Sequence, residues 1–331
     1  MTSQTIRLPA CLLGLTLAVA ASAQVSNFDT LNGYATAVES QVAQARLQVL
    51  RLGGSESASN LTLTVNYVSR DIDAAKDSIE RSSRSENSLV GYTWRQSDWY
   101  VGAGIGYDYT RADYNEVRSP APVPLHGRVH AETTSFNAWA GVDAGWVQFA
   151  FGGSLGSTDN NAKRVSDAGS SRGDYKGKQS AFAFRLSHRM PFDSVVLDPF
   201  IGMSFASADL DGFTEQGVAP DRRILRDFTL KENRFAFGVR VAAKDGDWIP
   251  SATAAFLTRM SGGESSISNT AINGSNLGVG VIPEASNGLL YLNLALNGKI
   301  DEHWTVGGVI DYTTGGDEHQ FGLNLRLARS F

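Results

Sequence analysis

The sequence predicts an all-β chain, a transmembrane antiparallel β-barrel of about twelve strands with a short N-terminal helix. Three observations carry that prediction. From Leu61 to the last residue, apolar and polar side chains alternate with a period of two. Tight turns alternate with long polar connections, which places turns at one membrane face and loops at the other. Five of the six tryptophans stand beside the tight turns, where a boundary between hydrocarbon and water favours amphipathic rings.

Composition narrows the alternatives. Of 331 residues, 42% are hydrophobic, 19% are charged and 34 are glycine. No apolar run reaches the roughly 18 residues a spanning helix requires. Net charge is -5, or -6 without Arg7 (28 basic against 34 acidic). No basic stripe points to nucleic acid as a partner.

Residues 1–23 read as a secretory signal peptide. Arg7 supplies the positive region, "LPACLLGLTLAVA" the apolar stretch, and Ala21-Ser22-Ala23 the cleavage site, so the mature chain starts near Gln24. The single cysteine, Cys11, lies inside the apolar stretch rather than at its end, which argues against lipidation. The mature chain then has no disulfide framework.

Residues 24–58 form a helical segment and linker. Tyr34–Arg51 reads as a helix, because Val38, Val42, Ala45 and Val49 make one apolar stripe at spacings of four and three. Gly53-Gly54 stops it, and "SESASN" is a polar linker.

Residues 59–331 form the barrel. Strands are expected near 61–70, 87–95, 98–111, 132–143, 146–158, 174–189, 195–209, 228–243, 247–260, 287–299, 302–314 and 318–331. Most reach the 9–11 residues that cross a bilayer when tilted. Connections after the second, fourth, sixth, eighth and tenth strands are short, centred on "QS", "GW", "PFDS", "DGD" and "DE". Those after the first, third, fifth, seventh and ninth read as long loops, and the last hairpin, around Gly315-Gly316-Asp317, is short again. Trp94, Trp99, Trp146, Trp248 and Trp304 adjoin short turns and form an expected membrane-interface ring. Trp139 lies mid-strand, and alternation points it inward.

Alternation also assigns charges to the lumen: Arg95, Arg185, Arg234, Arg240 and Arg326, with Asp108, Asp143, Asp198 and Asp311. On the lipid face an arginine would cost about 2–4 kcal/mol at the midplane. A barrel of this size admits either a helix or a small aqueous channel. With the helix inside, Glu39, Arg46 and Arg51 would meet wall charges of opposite sign. With it outside, the five arginines would favour a passive, porin-like channel for small anionic solutes.

Catalytic and cofactor chemistry find little support. His126 and His130 have ligand-like spacing but fall in an expected loop. "GAGIG" from Gly102 repeats glycine at every second residue with no helix to follow, so it lacks the dinucleotide-loop geometry and reads as inward glycines that leave room in the lumen. No cofactor, metal or enzymatic role is expected.

The chain ends "HQFGLNLRLARSF", with Phe321, Leu323, Leu325 and Leu327 on one face and Phe331 as the last residue. Such a strand resembles the signal by which the outer-membrane barrel assembly machinery recognises its substrates. The order of signal peptide, helix, linker and about twelve strands ending in phenylalanine resembles the translocator (β-domain) of autotransporters over roughly residues 34–331. The resemblance implies a Gram-negative bacterial outer membrane, contact with its lipid, a monomer, and a helix running through the lumen. One departure is expected: only about ten residues separate the cleavage site from the helix, too few for a sizeable passenger domain. The Asn-Asn pair used for self-cleavage in some members is absent from the helix, and Asn160-Asn161 reads as turn chemistry in an outer loop.

Overall fold

A computed structural model describes residues 34–44, 47, 50, 59–73, 80–116, 125–166, 169–218, 222–262, 265–272, 276–282 and 286–331. The expected signal peptide, Ala45, Arg46, Val49 and the linker through 58 lie outside these residues. Twelve long strands form the wall: β1 (Asn60–Ile72), β2 (Glu80–Gln96), β3 (Trp99–Glu116), β4 (Leu125–Asp143), β5 (Val147–Ser166), β6 (Gly169–His188), β7 (Val195–Leu210), β8 (Phe228–Ala243), β9 (Trp248–Gly262), β10 (Gly288–Lys299), β11 (Trp304–Gly315) and β12 (Glu318–Ser330). Each pairs antiparallel with its sequence neighbours, and β1 pairs with β12 from Asn60↔Ser330 to Ile72↔Glu318. That pairing closes the ring and leaves no open edge.

The side chains explain why these segments are strands. Facing outward are Ile105, Leu155 and Leu294, each 66% exposed, whereas their chain neighbours are buried or partly buried. Water would not tolerate so large a continuous apolar belt on a monomer, but acyl chains require it. At the turn end the chain reverses in few residues. Ser97, Gly145 and Gly246 adopt positive φ there, at 47°, 81° and 130°.

The opposite end departs from the sequence reading. The connection after β5, expected to be long, is only 167–168, because β5 and β6 continue to Ser166 and back from Gly169. Asn160-Asn161 is therefore not a turn; it lies within β5, opposite Tyr175 and Asp174. His126 and His130, expected in a loop, lie in β4. The physical reason is common to all three. Above the bilayer the outward face meets water instead of acyl chains, so the lipid-facing apolar residues that reveal a strand are missing. The inward face mixes polar residues such as Asn160 and Arg164 with apolar ones such as Val129 and Ala162. The loop after β7 carries short strands at Phe213–Thr214 and Arg223–Leu225, which join Ser265–Ala271 and Asn276–Ile282 from the loop after β9 in a separate four-stranded sheet.

Helix α1 covers 34–44, with Leu47 and Leu50 continuing its path. Tyr34, Ala35, Val38 and Val42 pack against Ala112, Ala131, Ala162 and Ala208 from β3, β4, β5 and β7. Leu47 and Leu50 pack against Ala183, Phe200, Ala236, Leu257 and Leu289, spread over β6 to β10. A helix touching strands around the ring lies inside it. The small alanines on the wall leave the space that the helix fills.

The helix-filled lumen as candidate functional site

An amphipathic stripe predicts one buried helix face, yet the whole circumference of α1 is enclosed. Thr36, Ser40, Gln41 and Gln44 are buried along with Val38 and Val42. Buried polar groups need partners, and the wall supplies them. Arg81 of β2 meets Glu39 at 2.6 Å, and Ser83 donates to Ser40 at 2.9 Å. Asn87 donates to the Gln44 side-chain oxygen at 2.8 Å. Gln41 donates to Asp108 of β3 at 3.0 Å and to Thr133 of β4 at 2.9 Å, and it accepts from Gln179 of β6.

At the loop end a second network holds the start of the helix. Glu215, from the loop after β7, accepts from Arg164 at 3.1 Å through Nε and 2.8 Å through Nη2, from the backbone N–H of Arg223 at 2.9 Å, and from the Tyr34 hydroxyl. Tyr175 donates to the Tyr34 carbonyl at 2.8 Å, and its ring stacks on Phe213 at 4.6 Å. The Arg164 and Glu215 side chains are 1% and 0% exposed. This pair, with Arg70–Glu318 at 2.9 Å, is absent from the sequence-derived set. Arg164 lies beyond the expected end of its strand, and Glu215 is 51 residues away in a loop. The one available signal was parity, since Arg164 keeps step with the inward Ala162.

The sequence-derived charges all sit on the lumen side, each with a neighbour. Arg240 meets Asp198 at 3.2 Å, and Arg189 bridges Asp198 and Asp143 at 3.8 and 3.3 Å. Arg95 lies 3.9 Å from Asp143. Arg185 donates to the Leu50 carbonyl at 3.2 Å and stacks over Phe200 at 3.9 Å. Arg234 pairs with Glu232 and donates to the carbonyls of Ser286 and Asn287 at 2.6 and 3.2 Å. Arg326 donates to Thr62 at 3.4 Å. Asp108 holds Gln41, and Asp311 is buried against Gly322, where a Cβ would meet its carboxylate at 2.6 Å. Arg46 and Arg51 fall outside the described residues.

Trp139 also points into the lumen and donates to Thr93 at 3.1 Å. Gly91 and Gly102 flank its indole so closely that a Cβ at either would overlap it. One of the alternating glycines, Gly102, together with Gly91 on the next strand, is thus space for one ring.

The remaining tryptophans gather at the turn end. Trp94 and Trp99 meet edge to face at 4.9 Å, outside the barrel. Trp146 and Trp248 are exposed there, and Trp304 is half-buried with the Arg329 guanidinium 5.7 Å from its ring. On β12, Phe321, Leu323, Leu325 and Leu327 face outward, and Phe331 lies 6.4 Å from Tyr92 across the closing seam. His130 bonds Tyr109 at 2.6 Å on the outer face. Among the described residues no cluster of His, Cys, Asp or Glu is arranged to hold a metal.

Comparison with known proteins agrees with this geometry. The chain is similar in structure to the translocator domain of the autotransporter NalP from Neisseria meningitidis, with a TM-score of 0.71 at 14% identity, over 89% of this chain and 96% of that one. It is also similar to the transport unit of AIDA-I from Escherichia coli (TM-score 0.56, 10% identity, 90% and 99% covered). For the β-domain of the Bordetella autotransporter BrkA the values are 0.55, 14%, 83% and 100%. No curated protein sequence gives a significant match. The family profile described as the autotransporter beta-domain matches residues 62–311. With most of its length inside that profile and its twelve strands closed around a helix, the chain belongs to the autotransporter β-domain family and is an outer-membrane β-barrel of that type.

Proposed function

We propose that this outer-membrane barrel is a translocator-type pore held closed by its own N-terminal helix, and that it has no catalytic role. The observation that carries the reading is Gln41. One helix side chain is bonded to Asp108 on β3, Thr133 on β4 and Gln179 on β6. A helix so held occupies the path a solute would take. The anion-channel alternative drew on five inward arginines, and all five are engaged by carboxylates, carbonyls or a hydroxyl. Carboxylates offset the charge of Arg95, Arg234 and Arg240, which leaves Arg185 and Arg326 too few to make a ring that selects anions.

In this reading the barrel is a monomer, and the outward Phe321, Leu323, Leu325 and Leu327 with Phe331 present the strand read by the assembly machinery. Single-channel recording in planar bilayers tests the closure. Deleting residues 24–58 is expected to raise conductance several-fold over the intact mature chain. Equal conductance from both proteins would overturn the plug and favour an open pore.

A further inference from the structure

The outer face of β4–β6 above the apolar belt carries a feature that lumen closure does not use. Along β6 the outward side chains run Leu186, Phe184 and Phe182, then Ser180, then Lys178, Lys176, Asp174 and Arg172. Along β5 they run Phe149, Phe151 and Leu155, then Ser157, Asp159, Asn161 and Lys163. In register, Arg128 of β4 faces Lys163 of β5, and Lys163 faces Arg172 of β6. Three cations thus stand side by side on three consecutive strands, an arrangement that repels itself.

Nearby carboxylates, among them Glu132 opposite Asp159, relieve this row only in part. Asp113 binds Arg128 at 2.6 Å and Arg111 at 3.1 Å. Asp159 faces Lys176 at 3.5 Å, Asp174 accepts from Asn161 at 2.5 Å, and Asp209, opposite Lys178, accepts from Thr229 at 2.6 Å. Among the described residues Lys163, Arg172 and Lys178 belong to no ion pair. All three are exposed.

Height decides what lies against them. Strands rise about 3.3 Å per residue and tilt by roughly 35–45°, so each residue climbs about 2.5 Å. Ser157, the partner of Lys178, is two positions above Leu155, and Lys163 is eight above it. The cations therefore span from about 5 to about 20 Å beyond the apolar edge. In an outer membrane that layer holds the phosphorylated sugars of the outer-leaflet glycolipid.

We propose that the outward face of β4–β6, centred on Lys163, Arg172 and Lys178 with Arg128 at its edge, is a docking surface for the phosphates of lipopolysaccharide. The phosphate oxygens supply counter-charge beyond that of the described carboxylates. The inference rests on outer-membrane placement and is independent of whether the helix plugs the lumen.

The test uses the folded mature protein in detergent micelles. Affinity is measured by native mass spectrometry for short-core lipopolysaccharide and for the same lipid with its phosphates removed. The phosphorylated lipid is expected to bind at least tenfold tighter, with affinity falling as salt rises. The triple variant K163Q/R172Q/K178Q should lose about 100-fold, since each cation near an anionic surface contributes about fivefold. A turn-end control, K244Q/K299Q, should bind like the parent. A gel shift on heating shows that each variant is folded, and Lys178→Gln alone should lose about fivefold. Equal binding after phosphate removal, a triple variant within twofold of the parent, or an equal loss in the control overturns the proposal. So does displacement of the glycolipid by inorganic phosphate, which would make free phosphate the ligand.

Discussion

Strands β2–β6 run 17–20 residues, whereas β10–β12 run 12–13. A tilted strand needs about 9–11 residues to cross the bilayer, so the short wall is little more than a membrane span, and the tall wall projects well past it. The two walls treat the helix differently. Side-chain hydrogen bonds to Glu39, Ser40, Gln41 and Gln44 come from Arg81, Ser83, Asn87, Asp108, Thr133 and Gln179, all on the tall wall. The short wall meets the helical path through Leu289 and Tyr291 of β10, packed in one cluster with Leu47 and Leu50. Apolar packing is non-directional and sets no register, whereas a set of bonded polar partners fixes rotation and depth together. The tall wall therefore positions the helix, and the short wall fills and anchors.

The largest effect should come from the network that ties the tall wall to the loop after β7. Glu215→Ala leaves the Arg164 guanidinium buried without its carboxylate, a loss of about 3–5 kcal/mol. Urea unfolding in lipid vesicles measures it. A change below about 1 kcal/mol would mean that this pair is no more than a surface bridge, and the contrast between the walls would weaken at its strongest point.

A second pair of substitutions compares the surroundings of the walls directly. Leu294→Arg, at the middle of β10 and facing outward, should cost about 2–4 kcal/mol. Asn161→Arg, outward on β5 beyond the apolar belt, should stay within about 0.5 kcal/mol. Equal penalties in the same unfolding assay would show that the tall wall does not leave the bilayer at Asn161.

The smallest effect belongs to the turn between β10 and β11. Asp301 accepts from the backbone N–H groups of His303 and Trp304 at 2.7 and 2.8 Å, and these bonds hold its carboxyl below the usual value of 3.8. A lowered folded-state pKa contributes stability above the unfolded value, and that contribution disappears as pH falls through the folded one. Asp301→Asn should therefore be slightly less stable than the parent at neutral pH and equal to it in strong acid. A gap that persists in acid would trace the effect to packing of the turn instead of its charge.

Much of this architecture was legible because a bilayer imposes a strict pattern. Leu290, Leu292, Leu294 and Leu296 had to face one way, and the structure places them on the lipid side of β10. The outer halves of β5 and β6 were illegible for the opposite reason. With Asp159, Asn161 and Lys163 outward, and Asn160 and Arg164 inward among Ala162 and Tyr175, the lipid-facing apolar residues are missing and the remaining pattern is too mixed to mark a strand. The lumen charges show the same limit. Parity put Arg240 and Asp198 inside, but their 3.2 Å contact depends on adjacent strands in register.

The sequence by itself determined the strand count, the side of the wall that meets lipid and the cluster of tryptophans at the turn end. Each follows from local alternation or from the position of a residue relative to a turn. Tertiary structure alone decided that every side of the helix is buried, that Gln41 reaches three strands and that Arg164 finds Glu215. Those contacts join residues 51 to 138 positions apart. Their partners are fixed by ring closure and strand register, which no local pattern encodes.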